Sequence, residues 1–294
     1  MTIVAALGVL DEVELVGRSI DHLRTIGVDR IIVTDYGSTD GTLDVIEQQR
    51  TRGGVSVTRV SADERSRYGV TNPREVRLAR EAGADWVVFL DADELWIPRG
   101  GTLRACRQLA SADVLVARRF NVPVTPDGAR LPADLTPARH GDLWLHARRV
   151  PDFQRYLDEH PDASFVSVVP GPKVMARPAL VDAVGFGNHD VASDRPGLRR
   201  APASDILVAH VPFTTFERFE RKVNDIRREM RIRPGNFAGA LSWHWSRWVR
   251  LADAGLLAEE FARQVTDEPR LRDLRAGGLV KSAAEIFAEL EPRA

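Results

Sequence analysis

Five short apolar runs, separated by segments of helical periodicity, occupy the first 120 residues and restrict the chain to few folds. The runs at 2–9, 30–34, 55–60, 86–90 and 114–119 have the length of buried strands and are too short for buried helices. Between them, Leu15, Ser19, Ile20, Leu23 and Ile26 recur at helical spacing, and Gly27 supplies a stop. A helix over 42–49 follows the turn 37–41, Asn72-Pro73 opens another that Gly83 closes, and 102–109 reads as a fourth. This alternation predicts βαβ units and a mainly parallel sheet. Such sheets bind ligands beyond the carboxyl ends of their strands, where Asp35 and Asp91 both stand.

Composition removes several classes. With 41 Lys+Arg against 42 Asp+Glu the chain is no uniformly basic nucleic-acid coat. Its single cysteine, Cys106, excludes an intrachain disulfide framework and a Cys-rich metal cluster, and fits a reducing compartment. The apolar start runs directly into Asp11 and Glu12 with no basic segment before it, so it reads as a buried strand and not a leader. No apolar run nears the roughly 20 residues that span a bilayer. A cytoplasmic protein without an integral membrane segment is expected. The near-neutral total conceals an asymmetry: residues 1–100 carry 12 Arg and 17 acidic residues, whereas 195–250 carry 12 basic and 5 acidic ones. An acidic half suited to a cation and a basic half suited to an anion is one reading; solvated helix surface is the other.

Beyond the alternating region, eight prolines punctuate 121–172. Strands are expected at 174–176 and 206–211. From Thr215 the chain is helical, with Phe216, Phe219, Val223, Ile226 and Met230 on one face and Pro234-Gly235 as its end. Further helices are expected at 239–252, 256–264 and 282–290. The expected division is a nucleotide-binding and catalytic domain over 1–225 and a helical extension over 226–294.

Two motifs carry chemistry. In Phe89-Leu90-Asp91-Ala92-Asp93-Glu94 an apolar strand delivers two carboxylates, natural ligands for Mn2+ or Mg2+, into a loop at the ligand edge of the sheet. In Asp35-Tyr36-Gly37-Ser38-Thr39-Asp40-Gly41-Thr42 a strand passes through a tight turn into a helix, where Ser38, Thr39 or Asp40 can cap.

Together these motifs resemble the GT-A glycosyltransferases, family 2 in particular, whose first motif often reads D-D-G-S-T-D-G-T. Here the second acidic position is Tyr36. The stretch from Gly83 to Trp96 is similar to the "GADW…DADEFW" form of one subgroup, which overlaps family 92. Lys173 to Pro178 is similar to a K-x-x-x-R-P element of the same relatives, and Asn188-His189 and His210 with Lys222 fall in further similar segments. The resemblance covers roughly residues 1–225. It implies a GT-A fold, α/β and Rossmann-like with a mainly parallel central sheet. By this resemblance Asp35 would contact the nucleotide base, and Asp91 and Asp93 would hold the donor diphosphate through Mn2+ or Mg2+. His189 and His210 are both candidates to complete the cation's shell: His189 is assigned to the metal, and His210 with Lys222 to donor binding. Lys222 and Arg221 would offset the charge of the departing diphosphate. Asp190 is the candidate catalytic base of an inverting transfer, with Glu94, Asp152, Asp162, Asp182 and Asp194 open.

The partners so implied are a UDP-, GDP- or dTDP-sugar, an unidentified acceptor (sugar, peptide or small aglycone), and a second copy in a homodimer. Two other readings stand beside this one. A haloacid-dehalogenase-like phosphohydrolase also places D-x-D after a strand, normally the first. A GT-A-like protein that binds nucleotide sugar without turnover is the non-enzymatic reading. Trp243, His244, Trp245, Arg247 and Trp248 form an aromatic and basic cluster that packing, a subunit contact, an acceptor-stacking surface or a membrane surface would each explain.

Overall fold

Both faces of β1 (Ile3–Val9) are covered, which explains why its sequence is apolar throughout instead of alternating. In the computed structural model, which describes residues 1–67, 71–233 and 243–290, β1 pairs in parallel with β2 (Arg30–Asp35) and with β5 (Trp86–Asp91). On its far side β2 pairs in parallel with β3 (Val55–Arg59). The connections are α1 (Val16–Thr25), α2 (Thr42–Thr51) and, after the single-turn α3 (Ala62–Ser66) and short β4 (Thr71–Asn72), α4 (Arg74–Glu81). Asn72 Oδ1 accepts from the backbone N–H of Arg74 at 2.9 Å, so it tethers the start of α4 as expected.

Beyond β5 the sheet becomes mixed. β11 (Lys173–Ala176) lies antiparallel between β5 and β7 (Val114–Asn121), and the order of the eight strands is β3-β2-β1-β5-β11-β7-β14-β6. Here β6 is Glu94–Pro98 and β14 is Arg200–His210. β12 (Ala183–Gly185) pairs with β4 and with β13 (Val191–Ala192) in a small separate sheet.

Two local expectations change. The segment expected as a helix over 102–109 is instead two 3-10 turns, Leu103–Ala105 and Arg107–Ala110, broken by the extended backbone of Cys106. The buried residues Leu103, Cys106 and Leu109 recur every three positions, the period of a 3-10 turn and not of an α-helix. The expected loop after Asp91 is also short, because Glu94 already begins β6.

The chain forms two compact units, one of Met1–Arg119 with Gly171–Val208, the other of Phe120–Pro170 with Ala209–Glu289. The first contains nearly all of the large sheet, with α1 and α2 packed on an apolar cluster that includes Leu7, Val33, Ile20 and Ile46. The second holds a β8 (Val124–Thr125) and β9 (Gly128–Ala129) hairpin and β10 (Trp144–His146), which pairs antiparallel with β15 (Val280–Ser282). Its helices are α5 (Phe153–Glu159), α6 (Phe216–Ile232), α7 (Trp243–Asp253), α8 (Leu257–Gln264), α9 (Glu268–Ala276) and α10 (Ala283–Leu290). Phe219, Val223 and Ile226 of α6 pack with Phe165, Phe213, Trp248 and Leu257, as the helical periodicity requires. The expected stop at Pro234-Gly235 and helix start at 239 lie outside the described residues.

The Trp/His/Arg cluster is core at three of its positions. His244 stacks on Phe165 with ring centroids 4.1 Å apart. The fully buried Glu260 carboxylate accepts from Arg247 Nη2 at 2.7 Å and Trp248 Nε1 at 3.1 Å. No helix among the described residues is long and apolar enough to cross a membrane.

Candidate active site

In the parallel register, Val9 of β1 stands opposite Asp35 and Gly8 opposite Asp91. The two aspartates therefore flank the end of β1 on adjoining strands, roughly 10 Å apart at two inter-strand spacings. Gly8 keeps this edge open: a Cβ there would lie 3.2 Å from the Tyr36 ring and 3.6 Å from Asp91 Oδ1.

Asp35 is fully buried. Its Oδ1 accepts from Ser38 N at 2.9 Å and its Oδ2 from Arg59 Nε at 3.0 Å. Arg59 is opposite Asp35 in the β2–β3 register, a pairing that the sequence reading did not find. Gly41 is the N-cap of α2 and has no side chain to offer, but Asp40 Oδ1 accepts from Thr42 N, the first residue of the helix, at 3.0 Å, as the expected capping requires. The turn also does more: Ser38 Oγ accepts from Asp11 N, Asp40 Oδ2 from Val13 N and Thr42 Oγ1 from Glu12 N, at 3.0, 3.1 and 2.7 Å. The polar residues of this motif thus fasten the turn that follows β1.

The acidic motif is organised by a buried lysine. Lys173, on β11 between β5 and β7, donates to Asp91 Oδ2 at 2.8 Å and the Gly187 carbonyl at 2.7 Å, and its Nζ lies 2.7 Å from Glu94 Oε1. Glu94 is completely buried, takes a second cation at Oε1 from Arg119 Nη1 at 2.8 Å, and accepts from Asp91 N through Oε2 at 3.2 Å. Burial pushes the Glu94 carboxyl above its usual range, and Lys173 and Arg119 oppose that rise. Asp93 is 4% exposed.

His189 adjoins this cluster. Its Nδ1 donates to the Pro172 carbonyl at 2.6 Å, which leaves the lone pair of the neutral ring on Nε2. Burial, followed by the charges of Lys173 and Arg119, pushes the imidazole down to about 4, so it is neutral at pH 7. Gly187, at a φ of 71°, gives the ring room: a Cβ there would stand 2.9 Å from His189 Nε2. Asn188 Nδ2 donates to Asp91 Oδ1 at 3.3 Å, so both oxygens of Asp91 have partners.

Asp190 is elsewhere in chemical terms. Its side chain is 67% exposed, accepts from Val191 N at 2.8 Å and is ion-paired with Arg200. His210, at the end of β14, and Lys222, on α6, belong to the second compact unit. The structure therefore groups Asp35, Asp91, Asp93 and His189 within the first unit. It adds Arg59, Glu94, Arg119, Lys173 and Asn188, of which the sequence had marked Lys173 and Asn188 within similar segments and Glu94 as an open carboxylate.

A cation fits the donor chemistry of the first unit: hard carboxylate oxygens in a buried acidic motif, and a neutral imidazole with its lone pair on Nε2. Residues 9–126, which contain both motifs, match the family model described as glycosyl transferase family 2. This stretch is similar to the family 2 glycosyltransferases. The matched stretch includes β2, β5 and β6 in full and stops before Lys173.

No curated protein matches the sequence. Among solved structures, S. aureus TarS 1–349 with UDP is 15% identical at a TM-score of 0.37, covering 90% of this chain and 71% of that one. The same portion with UDP-GlcNAc is 12% identical at 0.36, covering 69% and 58%. Glucosyl-3-phosphoglycerate synthase from Mycobacterium tuberculosis, in complex with Mn2+, UDP and glucosyl-3-phosphoglycerate, is 20% identical at 0.33, covering 64% and 62%. The chain spans 23% of the longer TarS structure and about three fifths of the latter two.

Proposed function

We propose that the protein transfers a sugar from a nucleoside-diphosphate sugar to an acceptor, with inversion at the anomeric carbon and dependence on Mn2+ or Mg2+. The observation that carries this reading is the pair of strand-tip carboxylates, Asp35 and Asp91, set on either side of β1 within a stretch similar to the family 2 glycosyltransferases. Asp35 is assigned to the nucleotide base. Asp91, Asp93 and His189 are assigned to the cation, with Lys173 and Asn188 orienting Asp91. His210 and Lys222 are assigned to the cation–diphosphate end of the donor. When bound, the cation would offset the negative charge of the departing diphosphate. Asp190 is assigned to accept the acceptor's proton, for which its contact with Arg200 must open. On this reading residues 1–225 carry catalysis and 226–294 are a helical addition. The buried, unpaired Cys106 thiol fits action in the cytoplasm.

The decisive experiment is a thermal-shift panel of UDP-, GDP- and dTDP-sugars with and without Mn2+. The correct donor raises apparent stability by mass action, and only in the presence of the cation. No response to any donor would overturn the reading. A phosphohydrolase would release phosphate from a phosphoester with no acceptor present. A binding protein would hold the nucleotide sugar and leave it intact with every acceptor.

A further inference from the structure

Asp35 stands at the ligand edge of the sheet, yet its side chain has no solvent-exposed surface and both of its oxygens are engaged. Oδ1 accepts from Ser38 N and Oδ2 from Arg59 Nε. Its neighbour across the β2–β3 pair is the reverse. The Arg59 side chain is 62% exposed, and neither of its Nη groups has a hydrogen-bond partner among the described residues. The backbone ties the two strand tips together as well, since Val60 N donates to the Asp35 carbonyl at 2.9 Å. A guanidinium is planar, so holding Nε orients the two Nη groups with it. It also has donors only. The buried carboxylate thus holds, at the carboxyl end of β3, a set of oriented N–H donors open to solvent.

We infer that Asp35 is a positioning residue and that Arg59 reads the donor's base, favouring a keto group over an amino group at the same place. This inference rests on the assignment of Asp35 to the base end of the donor and states how that end is served. Asp35 touches Arg59, and Arg59 touches the base. Guanine presents O6 and N7, two acceptors that a guanidinium fork meets bidentately. Uracil and thymine present the O4 keto oxygen to the same donors. Adenine and cytosine carry an amino group at the corresponding position, N6 or N4. There donor would face donor, and hydrogen bonds would be left unmade.

Calorimetric titration with UDP, dTDP, GDP, CDP and ADP, each with Mn2+, tests it. In the wild-type protein the preferred keto diphosphate should bind about 5- to 150-fold more tightly than its amino counterpart, UDP against CDP or GDP against ADP. Arg59→Ala should bring the two members of that pair to equal affinity. A merely structural change would weaken both alike and leave their ratio standing. Asp35→Asn should also lose the preference, and the double variant should lose nothing further. Arg59 is at the surface, so its variant decides the matter even where Asp35→Asn fails to fold. An Arg59→Ala protein that keeps the wild-type preference would overturn the inference, as would a wild-type protein with none. Loss of preference in Asp35→Asn with Arg59→Ala unchanged would show that Asp35 touches the base itself, and would also overturn it. A wild-type protein that binds none of the five would instead overturn the reading of a nucleoside-diphosphate sugar as donor, and the inference with it.

Discussion

Lys173 Nζ lies 2.7 Å from Glu94 Oε1, and both side chains are shut off from solvent. Removing one partner of such a pair leaves an uncompensated buried charge. Lys173→Met should therefore destabilise the protein by about 3–5 kcal/mol, read as a lower urea midpoint. An unchanged midpoint would show that Arg119 alone satisfies Glu94.

Asp93→Ala should abolish Mn2+-dependent binding of a nucleoside diphosphate and leave the circular dichroism spectrum unchanged. Calorimetric titration checks this, and wild-type affinity in the variant would sink the assignment of Asp93 to the cation.

Gly8→Val tests the open strand edge. The added side chain would meet the Tyr36 ring and Asp91, so nucleotide affinity should fall more than the midpoint of unfolding does. Equal affinity in the two proteins would show that the donor does not pass over Gly8.

The buried histidines set a pH dependence of stability. His22, whose Nε2 donates to the Trp96 carbonyl, and His146 are both pushed down to about 4 by burial, as is His189. In the unfolded chain each ring takes a proton near pH 6.5. Their depressed folded values mean that the unfolded state binds more protons between about pH 6.5 and 4, so stability falls as pH drops through that window. Chemical unfolding at several pH values should show the decline, and His22→Leu should flatten it.

Glu75 on α4 behaves in the opposite sense. Burial raises its carboxyl, and its Oε2 has no hydrogen-bond partner. Here the folded state holds the proton more tightly, so stability contributed by the neutral form is lost as pH rises through the folded value. Glu75→Gln should raise the melting temperature at neutral pH and have little effect at acid pH. A lower melting temperature at both would indicate that the charged form is needed.

The carboxylates of the site were legible because each ends an apolar run, and a run of that kind announces both a strand and its tip. Their pairing with cations was not. Lys173 stands 82 residues beyond Asp91 and reaches it only because β11 inserts antiparallel beside β5, an order of strands that periodicity along the chain cannot encode. Arg59 could have been found by aligning the ends of β2 and β3, since both strands were recognised and the pairing is in parallel register. The failed helix at 102–109 had its own signal in the three-residue spacing of Leu103, Cys106 and Leu109.

The insertion of β11 also governs how the protein can be cut. Both sheet neighbours of β7, β11 and β14, are made after residue 170, although β7 itself ends at Asn121. A fragment ending at residue 126 would contain every residue of the matched family 2 stretch, yet leave β7 unpaired on both sides and β5 unpaired on one. Exposed apolar strand edges of that length invite association with other chains. During synthesis the ribosome must therefore release a further 80 or so residues before this sheet can close, and expression of the matched stretch alone should yield aggregate.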